Sequence, residues 1–145
     1  MNLKEAQEKL TAKDYREALV NIELRDVHLK ELNCLLHSRN VSSSANINFQ
    51  DETSEIKIVE DKATVEHRYT VKVTSGEKDI FDVTATYILI YELKKTLPEE
   101  FFVIYKNISL PVHTYPFFRE LVSSISTKMG LPNLIIPLRK DLFSK

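Results

Sequence analysis

The sequence predicts an α+β domain in which a run of strands precedes a pair of helices. Residues 20–93 contain several stretches where apolar and polar positions alternate, which is typical of strands with one buried face. The period becomes helical after Pro98, and strands followed by helices indicate the α+β class. Because the chain has 145 residues and no long linker, we expect a single domain over residues 1–145.

The N-terminal part predicts helical structure followed by one long strand. Residues 3–19 place apolar side chains at near-helical spacing without glycine or proline, which indicates one helix or a broken pair of helices. From Val20 the apolar residues alternate, and their parity changes after Asp26. This change predicts a first strand that contains a bulge or a strong twist and continues towards His37.

The middle of the chain predicts a crossover loop and further strands. The polar stretch "SRNVSSSAN" is a loop, and "NINFQ" and "IKIV" form one long irregular strand or two short ones. Residues 65–74 alternate most clearly, and Gly76 in "SGEKD" is expected to take a positive φ in a hairpin turn. The returning arm ends apolar on both faces, so we expect a helix on one side and a second subunit on the other. The oligomer-interface residues predicted in this arm are Tyr87, Leu89 and Tyr91.

The C-terminal part predicts two helices. Pro98, followed by Glu99 and Glu100, is suited to a helix start, because the carboxylates complement the helix dipole. Pro111 interrupts this helix, and Pro116 starts a second one. Gly130 is expected to end the second helix as a left-handed cap, with Pro132 preventing continuation. The apolar stripe predicted to pack on the sheet is Phe117, Leu121, Ile125 and Met129.

Composition excludes several classes of partner and location. The net charge of −1 provides no field that would attract nucleic acid. The longest apolar clusters are far shorter than a membrane span, and "MNLKEAQEKL" lacks the apolar core of a signal peptide, so we expect a cytoplasmic protein without membrane insertion. Cys34 is the only cysteine and lies in an apolar context, where a small buried side chain is expected rather than a nucleophile.

No local pattern indicates catalysis or a cofactor. Gly76 and Gly130 are the only glycines, which excludes the usual phosphate-binding loop and dinucleotide fingerprint. The four histidines are scattered and no second cysteine exists, so we expect no metal site of standard spacing. Adjacent carboxylates are explained by a helix start or a turn. The sequence therefore predicts a protein that is not an enzyme and binds no cofactor.

The segment "PVHTYPFFRELVSSISTKMGLPNLIIPL" resembles the signature of the SecB family of export chaperones. That signature has an aromatic-Pro-aromatic-x-Arg-Glu motif, a short amphipathic helix, a glycine turn, and a leucine-rich stretch ending in proline. The matching positions are Tyr115, Pro116, Phe117, Arg119, Glu120, Gly130, Leu131, Pro132, Leu134 and Pro137.

The resemblance implies a four-stranded antiparallel sheet with helices on one face, assembled as a dimer of dimers. It also implies a holdase, which binds unfolded polypeptides, its clients, in apolar grooves and delivers many of them to the SecA motor. Arg119 and Glu120 are then expected at subunit or helix-capping contacts. The residues predicted to contact clients are Ile47, Phe49, Leu134, Ile136 and Leu138. For each of them, ordinary core burial is the competing interpretation.

Three functional hypotheses remain open. The first is a general holdase that keeps clients competent for export or assembly. The second is a dedicated chaperone for one partner, such as the antitoxin of a toxin–antitoxin–chaperone system. The third is a small-ligand carrier that uses the sheet face. Only "RKDLFSK" follows Leu138, without the Cys/His zinc tail with which many members dock on SecA, so SecA is retained only as an alternative partner.

Overall fold

A computed structural model describes residues 1–40 and 45–131. It is an α+β arrangement of one antiparallel sheet and helices on one of its faces. The strands are β1 Ile22–Leu36, β2 Ala45–Thr53, β3 Lys57–Val59, β4 Lys62–Ser75 and β5 Lys78–Leu93. The helices are α1 Leu3–Lys9, α2 Ala12–Ala18, α3 Glu99–Ile108 and α4 Leu110–Lys128, with a short 3-10 turn at Leu19–Asn21.

The sheet has five strands arranged in four rows. Their order is β1-β5-β4-β2, and the short β3 pairs with β4 beyond the end of β2. The predicted α+β class and antiparallel sheet are confirmed, with one strand more than expected. The extra strand arises because residues 54–56 interrupt the edge row, so that "NINFQ" and "IKIV" form two strands.

Strand β1 contains the predicted irregularity. Its pairing with β5 shifts register between Leu24 and Asp26, and again between Leu29 and Glu31. The first shift coincides with the change of parity in the sequence. An extra residue on one strand keeps apolar side chains on the same face when the alternation slips by one. The bulge after Leu24 is therefore readable from the sequence alone.

Strands β4 and β5 form the predicted hairpin and the buried face of the sheet. Gly76 has φ 64° in the turn between them, a left-handed conformation that costs glycine little. The odd-numbered residues of β4 from Ala63 to Val73 are all buried, and those of β5 from Phe81 to Leu93 are buried as well. All the helices lie on this side, which we call the helix-covered face.

The N-terminal helices form the broken pair. The Asn2 side chain accepts a hydrogen bond from the Glu5 backbone N–H, and the Thr11 side chain caps α2 in the same way. Such caps satisfy N–H groups that have no partner within the helix. Helix α1 packs on α3, and the Tyr15 ring of α2 lies 5.2 Å from that of Phe101.

The prediction that Pro116 starts the last helix is wrong. Helix α3 begins at Glu99 as predicted, but the break between α3 and α4 falls at Ser109, and Pro111 occupies the first turn of α4. Proline is tolerated there because the first N–H groups have no helical acceptor. Pro116 lies inside α4 and is exposed. It deprives the Val112 carbonyl of its helical donor, and a solvent-facing position reduces the cost of that loss.

The apolar stripe of α4 is rotated relative to the prediction. The side chains that α4 buries are Leu110, Pro111, Thr114, Tyr115, Phe118, Val122 and Ser126. Phe117 is 55% exposed, while Leu121, Ile125 and Met129 are only partly buried. Rows starting at Phe117 and at Phe118 both have helical spacing, and only the packing on β4 and β5 selects the second.

Gly130 ends α4 as predicted. It has φ 76°, its N–H donates to the Thr127 carbonyl, and the Leu131 N–H donates to that of Ser126. This pair of bonds is the Schellman arrangement, which requires a left-handed residue after the helix. Pro132 and the leucine-rich run after it lie outside the described residues. Among the helices that the structure describes, none is long and apolar enough to cross a membrane.

Candidate functional site

An aromatic cluster occupies the helix-covered face where β2 approaches α4. The Phe49 ring lies 5.6 Å from Tyr69, 5.5 Å from Tyr115 and 6.2 Å from Phe118, measured between centroids. Tyr69 and Phe118 stack at 4.6 Å with an angle of 13° between their planes. Aromatic pairs at such distances stabilise each other beyond the burial of their area. Phe49 is half-buried, so its position combines a core contact with an accessible edge.

Ile47 extends the accessible part of this region. It is 38% exposed and pairs with Val73, two residues before Phe49 on the same face of β2. Of the five predicted client-binding residues, Ile47 and Phe49 are therefore neighbours at one sheet edge. Leu134, Ile136 and Leu138 lie outside the described residues. The assignment of all five to client contact stays a prediction.

A buried hydrogen-bonded group joins β2, β4 and α4 beside the aromatic cluster. His67 Nε2 lies 2.8 Å from Asp51 Oδ2, and His67 Nδ1 lies 2.7 Å from Thr114 Oγ1. Tyr69 Oη lies 2.6 Å from the same Thr114 oxygen. Because a carboxylate only accepts, a neutral His67 ring carries its proton on Nε2 and accepts at Nδ1 from the Thr114 hydroxyl. Tyr69 then donates to Thr114, which links the three elements through one chain of bonds.

This group has the residue types of a hydrolytic triad but not its accessibility. His67 and Thr114 are both 0% exposed. A nucleophile must come within hydrogen-bonding reach of the substrate atom that it attacks, which a fully buried hydroxyl cannot do. The group is therefore structural. It links β2 and β4 to α4 and orients the strand that carries Ile47 and Phe49. The alternation of residues 65–74 puts His67 on the same face as Val65 and Val71, but it contains no signal for the partners of His67.

The three interface residues predicted on β5 lie under the helices. Tyr87, Leu89 and Tyr91 are on the helix-covered face and are buried within the single chain. Burial and the negative charge of Glu120 raise the pKa of Tyr87 to about 12. These side chains fill the core of one subunit, and the prediction that they contact a second subunit stays a prediction.

A second polar contact lies in the core beneath α3. Tyr91 Oη lies 3.0 Å from His113 Nδ1. Burial lowers the pKa of His113 and raises that of Tyr91, so both groups are held neutral near pH 7. The Tyr91 hydroxyl and His113 Nδ1 are therefore hydrogen-bonded to each other in a largely apolar region, which lowers the cost of burying these two atoms.

The family-matched pair on α4 lies at the side of that helix. Arg119 is half-buried and Glu120 is exposed. Both are accessible enough for an intersubunit contact, and the single chain does not test this prediction. The assignment of both residues to subunit or helix-capping contacts therefore stays a prediction.

Two leucines of β1 form an exposed apolar row that sequence reasoning missed. Leu29 and Leu32 are 40% and 43% exposed. They pair with Tyr87 and Ala85, so they lie on the helix-covered face, although α4 packs over β4 and β5. The alternation of β1 indicates which face its leucines occupy, but not whether a helix reaches that edge of the sheet.

The opposite face of the sheet carries cross-strand ion pairs. Arg25 lies 2.6 Å from Glu92, and Lys30 lies 2.7 Å from Glu66. Ile88, on this face, is only half-buried among such charged neighbours. Each exposed pair contributes little free energy, but together they make a polar surface. The same face also exposes Leu35 and Val59, so accessible apolar side chains of the strands occur on both sides of the sheet.

Comparison with known families decides where this fold belongs. Residues 12–138 match the family described as preprotein translocase subunit SecB. The chain belongs to the SecB family. The match includes the whole sheet, α3 and α4, and it begins after α1. A search of the curated proteins finds no significant match.

Solved structures agree with SecB membership at the level of the fold. A SecB-like chaperone from Mycobacterium tuberculosis, in complex with a ChAD peptide from the HigA1 antitoxin, superposes with a TM-score of 0.75 at 15% identity, covering 86% of this chain and 96% of that one. A protein of unknown function from Streptococcus agalactiae has a TM-score of 0.47 at 6% identity, covering 81% and 97%. The M. tuberculosis structure supports the SecB-like fold.

Proposed function

We propose that this SecB-family chain is a non-enzymatic cytoplasmic holdase, which binds unfolded or partly folded polypeptides and keeps them competent for export or assembly. The observation that carries the proposal is the exposed Ile47 beside the half-buried Phe49, at a sheet edge next to an aromatic cluster. Accessible apolar and aromatic surface close to an edge strand suits extended segments of varied sequence. SecA is an alternative recipient of the clients.

The proposal includes assembly into a homo-oligomer, a dimer of dimers. Leu29 and Leu32 supply a suitable surface, because two large apolar side chains remain accessible on the helix-covered side of β1. Arg119 and Glu120 are the polar contacts that we expect around it. Native mass spectrometry tests this part, with Leu29→Asp/Leu32→Asp expected to lower the subunit number. Val20→Asp is the control, since Val20 is also exposed but lies outside that strand. A wild-type protein that is only monomeric would refute assembly and any groove shared between subunits.

Suppression of aggregation tests the holdase proposal. We expect the purified chain, at stoichiometric amounts, to delay aggregation of three unrelated denatured proteins. Ile47→Asp should lose most of this activity because a charge would stand in the apolar contact. Ile58→Asp is the matched control: Ile58 is also an exposed isoleucine of the same edge row, 47% exposed, but it lies on β3, away from Phe49. Equal loss in both variants would remove the assignment of the site to Ile47.

A dedicated chaperone for one partner is the alternative function. The M. tuberculosis chaperone of similar fold was solved with an antitoxin peptide, which makes a single antitoxin a reasonable partner to test. If the chain delays the aggregation of none of the three unrelated proteins, the general holdase function is refuted and a dedicated partner is favoured. A toxin–antitoxin pair encoded beside this chain would supply the partner for a direct binding measurement. A small molecule that copurifies with the chain would instead favour the ligand-carrier hypothesis.

A further inference from the structure

The N-terminal helices α1 and α2 lie against one side of α3. Helix α1 packs on α3, and its fully buried residue is Ala6, which is 0% exposed. The Tyr15 ring of α2 lies 5.2 Å from that of Phe101 on α3, and the Tyr15 hydroxyl lies 2.6 Å from Ser109 Oγ. Phe101 is 0% exposed. Residues 1–18 therefore cover an aromatic side chain of α3.

The covered side chain belongs to a row of three rings on α3. The Phe101 ring lies 5.5 Å from that of Phe102 and 5.5 Å from that of Tyr105, measured between centroids. Phe101 and Tyr105 are buried, and Phe102 is half-buried. We call these three residues the α3 aromatic row. Because Tyr15 packs on Phe101, moving residues 1–18 away would open this row to solvent.

The cover and the sheet differ in how strongly they are held. Each of α1 and α2 has seven residues; α1 has one fully buried residue and α2 has none. Helices this short are not stable by themselves in water, so packing on α3 maintains them. Strand β5, in contrast, is bonded to a strand on each side, and its odd-numbered residues from Phe81 to Leu93 are buried. Segments with few buried contacts open at lower free energy than the core of a sheet.

The 3-10 turn Leu19–Asn21 separates the cover from the sheet. The Asn21 carbonyl accepts a hydrogen bond from the Lys94 N–H at 2.8 Å, so the sheet fixes the chain from Asn21 onward. Val20, just before it, is 69% exposed. Among the described residues, the bond between Tyr15 and Ser109 is the one side-chain hydrogen bond that joins residues 1–18 to the rest of the chain. Opening at this turn therefore breaks one such bond and none of the sheet.

We propose that residues 1–18 are a displaceable cover, which opens at the turn Leu19–Asn21 while the sheet stays folded and thereby exposes the α3 aromatic row. Helicity of short segments falls with temperature, so the exposed fraction of the row should rise on warming, before the sheet unfolds. The fold thus contains a temperature-dependent control over an aromatic surface. This inference depends on the packing of the described residues and not on the holdase function proposed above.

Amide hydrogen exchange of the wild-type chain tests local opening without any substitution. The Leu10 N–H donates to the Ala6 carbonyl, and the Leu19 N–H donates to the Tyr15 carbonyl, so these two amides report on α1 and α2. We expect both to be protected at least about 100-fold less than the amides of β5, because they exchange through opening of the cover alone. Equal protection at Leu10, Leu19 and β5 would show that the cover unfolds only with the sheet, and would overturn the proposal.

The bond between Tyr15 and Ser109 acts as a latch in this proposal. Tyr15→Phe removes the hydroxyl and keeps the ring on Phe101, and it should speed exchange at Leu19 by about fivefold without changing β5. Ser109→Ala removes the same bond from the other side and should have a similar effect, with little further change in the double variant. Exchange at Leu19 that neither substitution changes would refute the latch and, with it, the opening of α2 away from α3.

Substitutions on α1 test whether opening exposes the row. Ala6→Asp places a charge in the buried contact with α3, whereas Gln7→Asp introduces the same residue at the exposed neighbouring position of the same helix. We expect Ala6→Asp to raise the fluorescence of 1-anilinonaphthalene-8-sulfonate about twofold or more at a temperature where the sheet is folded, and Gln7→Asp to leave it close to wild type. In wild type, this fluorescence should rise on warming before the loss of strand circular dichroism.

The outcomes decide the proposal in either direction. Low protection of Leu10 and Leu19 together with a fluorescence rise specific to Ala6→Asp supports it. Equal fluorescence in the two aspartate variants, or a wild-type rise that coincides with unfolding of the sheet, overturns it. Should Ala6→Asp fail to fold, the cover is part of the cooperative core, and equal protection at Leu10 and β5 in the wild-type chain would confirm that refutation.

Discussion

Thr114 is the centre of the buried bonds between α4 and the sheet, and Thr114→Val removes its hydroxyl with little change of shape. The hydroxyl lies 2.7 Å from His67 Nδ1 and 2.6 Å from Tyr69 Oη, and Thr114 is 0% exposed. The substitution leaves two buried polar atoms without this partner. A buried polar group that loses its bond costs about 1–3 kcal/mol, so we expect a loss of about 2–4 kcal/mol in the free energy of unfolding.

Urea denaturation at a fixed protein concentration measures this loss, since assembly makes the apparent stability depend on concentration. Thr127→Val is the matched control: it is the same substitution on the same helix, and the Thr127 hydroxyl donates to the Ser123 carbonyl at an exposed position. The control should change stability by less than about 0.5 kcal/mol. If Thr114→Val costs no more than Thr127→Val, the buried group does not hold β2 and α4 together.

Three further predictions concern packing, the hairpin turn and pH. Phe49→Ala should lower the free energy of unfolding by about 2–3 kcal/mol, because three ring contacts disappear. Phe117→Ala, at an exposed position, is the control and should lower it by less than about 1 kcal/mol. Equal losses of free energy in chemical denaturation would contradict the packing of Phe49 on the aromatic cluster. Gly76→Ala should lower the free energy of unfolding by about 1 kcal/mol, because alanine is strained at the φ of 64° that Gly76 adopts. A Cβ at this position would meet no neighbouring atom, so the backbone conformation is the only cause of the loss. An unchanged free energy of unfolding would show that the turn adopts another conformation. Above pH 10 the unfolded chain releases the Tyr87 proton while the folded chain retains it up to a pKa of about 12, so stability should fall across this range. Tyr87→Phe should reduce that fall, and an unchanged stability profile would argue against the burial of this phenol.

The bulge in β1, the hairpin turn at Gly76 and the end of α4 at Gly130 could be predicted because each has a local cause. The change of parity after Asp26 requires an extra residue if the same face is to stay apolar, and the register shifts between Leu24 and Asp26. Gly76 and Gly130 stand where positive φ is needed, and both adopt it. These features depend on a few neighbouring residues, so the local sequence contains the information.

The errors arose where two local solutions were equally good. Both Pro111 and Pro116 can begin a helix, and rows starting at Phe117 and Phe118 both have helical spacing. Packing on β4 and β5 selected the start at Leu110 and the row of Phe118. Ile47 and Phe49 lie two residues apart on one face of β2, and their different exposure depends on how far α4 reaches towards that strand.

The pattern of residues along the chain was enough to predict the order of the elements, the alternation of β4 and the turns at Gly76 and Gly130. These follow from side-chain period and backbone sterics, which act over a few residues. The tertiary packing selects which apolar side chains stay accessible and which partners His67 has. Those properties depend on contacts between residues far apart in the chain, such as His67 with Thr114, and no local pattern records where a distant helix will lie.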